Sequence, residues 1–103
     1  MEKKRPTYDL ASFKAAFSPG KANQALVTLS ALQGARQLGF GFEKMLVALQ
    51  ALERRHFFKS MTSYHDHTVW QDVYHLPYGG LLIYVKFVAD LVTEFRLLSF
   101  KEK

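Results

Sequence analysis

The spacing of hydrophobic residues changes near His56, and this change limits the fold more than any other feature of the chain. Before it, apolar residues recur every three or four positions, as in helices that bury one side. After it, apolar and polar residues alternate or form short apolar runs, as in strands. Helices followed by strands with short connections predict an α+β domain. N-terminal helices should then pack on one face of a C-terminal antiparallel sheet and leave the other face open.

Three helices are predicted in the N-terminal half, at residues 10–17, 25–38 and 42–52. Asp9 is a suitable N-cap for the first helix, and residues 18–20 (Ser-Pro-Gly) end it. Gly39 suits a left-handed cap after the second helix. Arg54 and Arg55 are expected to close the third helix, where cations stabilise the negative end of its dipole.

Three strands are predicted in the C-terminal half, at residues 68–75, 81–88 and 95–100, with a turn at residues 77–80 and a connection at residues 89–93. In the first strand, alternation places Gln71 and His75 on one side with two valines. Asp72 falls on the other side with Thr68, Trp70 and Tyr74. The two sides of this strand therefore differ in chemistry.

The composition limits both the domain count and the compartment. A chain of 103 residues suits one domain, and we expect residues 1–103 to form one. The absence of cysteine excludes disulfides and thiolate metal sites. No apolar run reaches the roughly 18 to 20 residues that span a bilayer, and no secretory leader opens the sequence. We therefore expect a cytoplasmic protein without a membrane partner.

The net charge of +5 is concentrated at the two ends of the chain. Residues 1–5 and 101–103 hold three of the five excess positive charges, and the remaining body holds two. If the ends fold back beside other lysines, they form one cationic surface. If they do not, they are solvated tails.

Several kinds of site are excluded or weakly indicated. No Gly-x-Ser-x-Gly turn surrounds a serine, and the glycines at positions 39 and 41 lack the lysine of a phosphate-binding loop. His65, Asp66 and His67 could hold a divalent metal together with His75. In an extended segment, however, Asp66 points away from its two neighbours and no third ligand is secure. Solvated or hydrogen-bonded histidines are the simpler interpretation, and no metal or cofactor is predicted.

Five side chains form the most informative set: Lys59, Gln71, Tyr84, Lys86 and Lys101. The strand registers allow Gln71, Tyr84 and Lys86 to share one surface, and Lys59 and Lys101 lie where strands begin or end. Ammonium groups bind phosphate oxygens, a tyrosine ring stacks on a base, and an amide can read a base edge. Such a surface suits RNA, whose 2′-hydroxyl is an internal nucleophile. A solvated sheet face with scattered lysines is the alternative interpretation.

The segment FFKSMTSYHDHTVWQDVY at residues 57–74, the Tyr-Val-Lys at residues 84–86 and the ending SFKEK at residues 99–103 resemble the motility quorum-sensing regulator (MqsR) toxin family. The likeness extends over nearly the whole chain, although residues 1–5 and 38–42 are less specific. The family consists of mRNA interferases of bacterial type II toxin–antitoxin systems with a RelE-like fold. The resemblance implies an endoribonuclease toxin that cuts single-stranded mRNA at short GC-containing sites, without the ribosome or a metal, and inhibits translation and growth.

The resemblance implies catalytic roles for four residues of that set: Lys59, Gln71, Tyr84 and Lys101. Our hypothesis is that the two lysines neutralise the scissile phosphate, Tyr84 binds it or handles a proton, and Gln71 positions the substrate. A base among the lysines and the tyrosine would need a lowered pKa. We expect the RNA-binding residues to include Lys86, His67 and His75.

The resemblance also implies the partners, which are mRNA and a cognate antitoxin. We expect that antitoxin to have a zinc-binding domain, a helix-turn-helix domain that contacts DNA, and a strand that extends this sheet. Residues 89–95 look longer than the family's turn, and Arg96 adds a charge to the last strand. The alternatives are a non-catalytic corepressor that works through a DNA-binding partner and an RNA-binding module that does not cut.

Overall fold

The computed structural model describes residues 1–89 and 94–103. The strands are β1 (Glu2–Lys3), β2 (Phe57–Thr62), β3 (Trp70–Tyr78), β4 (Leu81–Ala89) and β5 (Phe95–Glu102). The helices are α1 (Leu10–Ala16), α2 (Leu29–Gln37) and α3 (Phe42–Leu49), with short 3₁₀ helices at Gln24–Leu26 and Arg54–His56. In the described part, the strands form an antiparallel sheet in the order β1-β2-β3-β4-β5. The predicted α+β class is confirmed.

The helix predictions hold for the first helix and fail in part for the second. The Asp9 carboxylate caps α1 by accepting the backbone N–H of Ser12. The second predicted helix is interrupted, because Val27 is extended and bridges to Leu97 of β5. α2 therefore begins only after Thr28, whose hydroxyl caps it. Gly39 takes the expected left-handed conformation, with φ at 83°.

The third helix is shorter than predicted, and its arginines do not close it. α3 ends at Leu49, and the Gln50 side chain donates hydrogen bonds to the backbone carbonyls of Lys14 and Phe17 at the end of α1. Arg54 and Arg55 lie in the separate 3₁₀ helix. The helix thus ends at its contacts with α1, and Arg54 and Arg55 lie beyond its last turn.

The strand predictions are right in type and wrong at several bounds. β3 starts two residues late and continues through Pro77 and Tyr78, because the turn needs only Gly79 and Gly80, both with positive φ. β4 and β5 each run beyond their predicted ends, and β1 and β2 were not predicted. Except for Ala89, which ends β4, the predicted connection at residues 89–93 lies outside the described residues.

The two sides of the sheet have different neighbours, as the alternation predicts. Eight sheet side chains face the helices and join their apolar residues in one buried core: Tyr74, Leu76, Ile83, Val85, Phe87, Phe95, Leu97 and Phe100. The residues that alternate with them form the opposite side, which we call the open face. No helix within residues 1–89 and 94–103 is both long enough and apolar enough to cross a membrane.

Helix α2 packs closely on β5 at Gly34. A Cβ atom at this position would collide with the backbone carbonyl oxygen of Phe100. The absence of a side chain therefore sets the distance between helix and sheet.

The Asp72 carboxylate ties the N-terminal segment to the sheet. It is fully buried and accepts the backbone N–H groups of Thr7, at 3.0 and 3.1 Å, and of Tyr8, at 2.9 Å. The Thr7 hydroxyl is hydrogen-bonded to the buried Ser60 hydroxyl at 2.7 Å, and the Tyr8 hydroxyl donates to the carbonyl of Trp70. These contacts allow β1 to pair with β2, so the N-terminal residues fold back onto the sheet.

Gly34→Ala should destabilise the protein by about 2 to 3 kcal/mol, because the new methyl group meets backbone atoms that cannot turn away. Thermal or urea unfolding measures this. Gly41→Ala is the matched control, since the space around Gly41 is empty, and it should cost about 1 kcal/mol or less, the effect of placing Ala at the N-cap of α3. An equal effect of the two substitutions would contradict the close packing of α2.

Asp72→Asn should lower the free energy of unfolding by about 2 to 3 kcal/mol. An amide has no negative charge and only one acceptor oxygen, so it cannot accept all the hydrogen bonds that Thr7 and Tyr8 donate to the carboxylate. Hydrogen exchange at Thr7 and Tyr8 should accelerate together with this loss. Unchanged protection of both amides in the variant would show that the carboxylate does not hold the segment.

Candidate active site on the open sheet face

The open face has a central row of cations around a buried valine. Val73 of β3 is paired with Lys59 on β2 and with Lys86 on β4, and Lys86 is paired with Ser99 on β5. Directly paired residues project to the same side of a sheet. Val73 is fully buried although it faces away from the helices, and its direct neighbours on the adjacent strands are Lys59 and Lys86.

A second row lies next to the first and contains the aromatic groups. His75 is paired with Tyr84, and Tyr84 is paired with Lys101. A bulge in β2 lets Phe58 join this row, where its ring stacks on His75 with centroids 4.3 Å apart. The Lys101 Nζ lies 5.4 Å from the centroid of the Tyr84 ring. Tyr84 thus lies between an imidazole and an ammonium group.

The register brings most of the predicted site residues together. Three of the four predicted catalytic residues lie within these two adjacent rows, namely Lys59, Tyr84 and Lys101. Gln71 projects to the same face one step further along β3, opposite Met61. His67 is exposed in the connection between β2 and β3 and belongs to neither row.

The electrostatics of the cluster follow from partial burial and from the crowding of cations. Burial raises the pKa of Tyr84, while the nearby Lys59 ammonium acts to lower it. Burial and the charge of Lys101 lower the pKa of Lys86. Burial and the charge of Lys103 lower the pKa of His75 below its usual 6.5. At neutral pH the His75 imidazole is therefore in its neutral form.

Sequence reasoning missed Phe58 and Glu2. Phe58 was missed because apolar and polar residues do not alternate regularly in β2, which also contains a bulge, so no strand was predicted there. The Glu2 Oε2 accepts a hydrogen bond from the Lys59 Nζ at 2.6 Å. The only sequence signal for this contact was the charge of residues 1–5, and a two-residue strand leaves no periodicity to detect.

The structure gives no grouping of metal ligands in the part of the chain that it describes: no three His, Asp or Glu side chains there come close enough to hold an ion. Asp66 instead accepts hydrogen bonds from the backbone N–H and the hydroxyl of Thr68. His75 stacks on Phe58, in the sheet.

We expect His75 to titrate below pH 6.5 and Lys103→Ala to raise its pKa toward that value, because the substitution removes a nearby positive charge but leaves the burial unchanged. NMR titration of the imidazole signals measures both. Lys21→Ala, which removes an exposed charge in the connection after α1, should leave the His75 pKa unaltered. A titration at or above 6.5 in the unmodified protein would contradict the burial of this ring.

Comparison with known proteins agrees with the resemblance noted above. Residues 5–102 match the family described as motility quorum-sensing regulator, toxin of MqsA. The chain is 38% identical over 105 aligned positions to the mRNA interferase toxin MqsR of Escherichia coli (strain K12), and the alignment covers the full length of both proteins. With this extent of similarity, the chain belongs to the MqsR toxin family.

Proposed function

We propose that this protein is the endoribonuclease toxin of a type II toxin–antitoxin system, and that it cleaves single-stranded mRNA on the open sheet face. The observation that carries the proposal is the convergence of Lys59, Tyr84 and Lys101 on that face in a chain whose relative is named an mRNA interferase toxin. We assign a RelE-like fold, acting as one domain in the cytoplasm, on the same family membership.

The proposed reaction uses the nucleophile that RNA itself contains. The 2′-oxygen forms a bond to the adjacent phosphorus, the bond from phosphorus to the 5′-oxygen breaks, and the products are a 2′,3′-cyclic phosphate and a 5′-hydroxyl. The 2′-hydroxyl gives up one proton and the leaving oxygen takes one up. The protein therefore has to orient the 2′-oxygen, stabilise added negative charge and move protons, and none of these steps requires a metal.

The residues of the two rows suit these tasks. Lys59 and Lys101 are the cations that would bind the scissile phosphate, and Lys86 extends the positive surface between them. Tyr84, held between Lys101 and His75, would donate its hydroxyl to the phosphate, since burial keeps it protonated at neutral pH. Gln71, at the edge of the cluster, would contact a base, which suits recognition of short GC-containing sites such as GCU. His75 and His67 would add contacts to the RNA.

The same proposal includes an antitoxin partner, because the matched family is described as the toxin of MqsA. We expect that partner to pair a strand with an edge of this sheet, and to contribute a zinc-binding domain and a helix-turn-helix domain. Contact with DNA would then be indirect, through the partner.

Lys59→Ala and Tyr84→Phe should each reduce cleavage by about 100-fold or more, because each removes a group that contacts the phosphate in the transition state. The assay incubates the purified protein with a defined single-stranded mRNA in EDTA and maps the fragment ends. We expect site-limited cuts with cyclic phosphate ends.

Lys21→Ala is the control for loss of one lysine and should cut like the unmodified protein, while circular dichroism checks that all variants fold. Full activity of both site variants would disprove the residue assignment. Binding without cleavage by the unmodified protein would favour a non-cleaving RNA-binding module, and neither binding nor cleavage would favour the corepressor.

A further inference from the structure

Glu2 places a negative charge on the open face. It is paired with Met61, which projects to the same side as Lys59. The other carboxylates on described strand residues, Asp72 and Glu102, are paired with residues that face the helices. Glu2 is therefore the carboxylate that a phosphate meets when it approaches Lys59.

The contact between Glu2 and Lys59 is supported by the backbone. β1 pairs with β2, the Met1 ammonium donates to the Thr62 hydroxyl, and the Thr62 N–H donates to the Met1 carbonyl. The Asp72 carboxylate holds the chain a few residues later. The position of Glu2 thus results from several contacts that do not involve Lys59.

The charges around Glu2 keep it ionised. The hydrogen bond from Lys59 and the charge of that ammonium lower the pKa of Glu2, with a smaller contribution from Lys4. The ammonium groups of both lysines lie 5.4 Å from the centroid of the Phe58 ring. The Lys59 side chain is only 21% exposed, so space for oxygen acceptors around its ammonium is limited, and Glu2 occupies part of that space.

We propose that Glu2 is an affinity-determining residue of the RNA site, whose carboxylate holds the place on Lys59 that a substrate phosphate has to take. Carboxylate and phosphate oxygens bind an ammonium group in the same way, so the two anions compete for it. This inference rests on the proposed function, because it takes Lys59 as a phosphate-binding residue. The Glu2 side chain is 56% exposed, and an ion pair with one partner this open to solvent is weak enough for RNA to displace it.

The test compares Glu2→Gln with Glu102→Gln, which removes the same charge near the cluster but from the helix side of the sheet. Binding is measured to a fully 2′-O-methylated single-stranded RNA, which cannot be cut, over a range of salt concentrations. Glu2→Gln should bind about twofold to fivefold more tightly than the unmodified protein. This gain in affinity should shrink as the salt concentration rises, because salt screens the charge of the exposed Glu2 carboxylate.

A second comparison places the effect on Lys59. In a Lys59→Ala background, Glu2→Gln should change the affinity for RNA no more than Glu102→Gln does, because the ammonium group for which Glu2 and phosphate compete has been removed. Equal effects of Glu2→Gln and Glu102→Gln in the unmodified background would overturn the inference. Weaker RNA binding by Glu2→Gln would also overturn it, since Glu2 would then support Lys59 and not compete at it.

The experiment separates this inference from the proposed function. If the unmodified protein cuts RNA but Glu2→Gln binds like the unmodified protein, only the role of Glu2 fails. If the unmodified protein does not cut RNA in the cleavage assay, the proposed function fails, whatever the affinities of the variants.

Discussion

The buried Asp72 carboxylate is the contact on which the geometry of the open face depends. It lies on the helix side of β3 and accepts hydrogen bonds from the N–H groups of Thr7 and Tyr8, which lie outside the strands. A buried charge is costly unless donors surround it, so the carboxylate and the segment stabilise each other. Through this contact the N-terminal residues reach β2, and Glu2 reaches Lys59 on the opposite face.

Strand β3 contributes side chains both to the buried core and to the open face. Tyr74 and Leu76 belong to the core, while Gln71 and His75 face outward beside the lysines. Rigid core packing on one side therefore fixes positions on the other without a separate scaffold. Clustered cations repel one another, and this repulsion is tolerated because the core supplies the stability and the face remains in contact with water.

The sequence was sufficient for the elements with strong periodicity. The alternation of β3 and the apolar run of β4 placed Tyr84 and Lys86 on the correct face. Lys59 was selected by its chemistry and again by the family likeness, but its place on the sheet could not be predicted, because the irregular β2 gives no strand signal. The break at Val27 and the folding back of Glu2 could not be predicted, since both depend on pairing with residues far along the chain, Leu97 and Met61.

The two-glycine turn after Tyr78 has a consequence for the chemistry of the protein. It sets how β3 and β4 are aligned, and side chains on a strand change sides at every step. An offset of one position in β4 would carry Tyr84 and Lys86 into the apolar interior and bring Val85 and Phe87 to the solvent. The two glycines have no side chain to contribute to the site and lie about four residues before Tyr84, yet the turn that they form determines whether this surface is cationic or apolar.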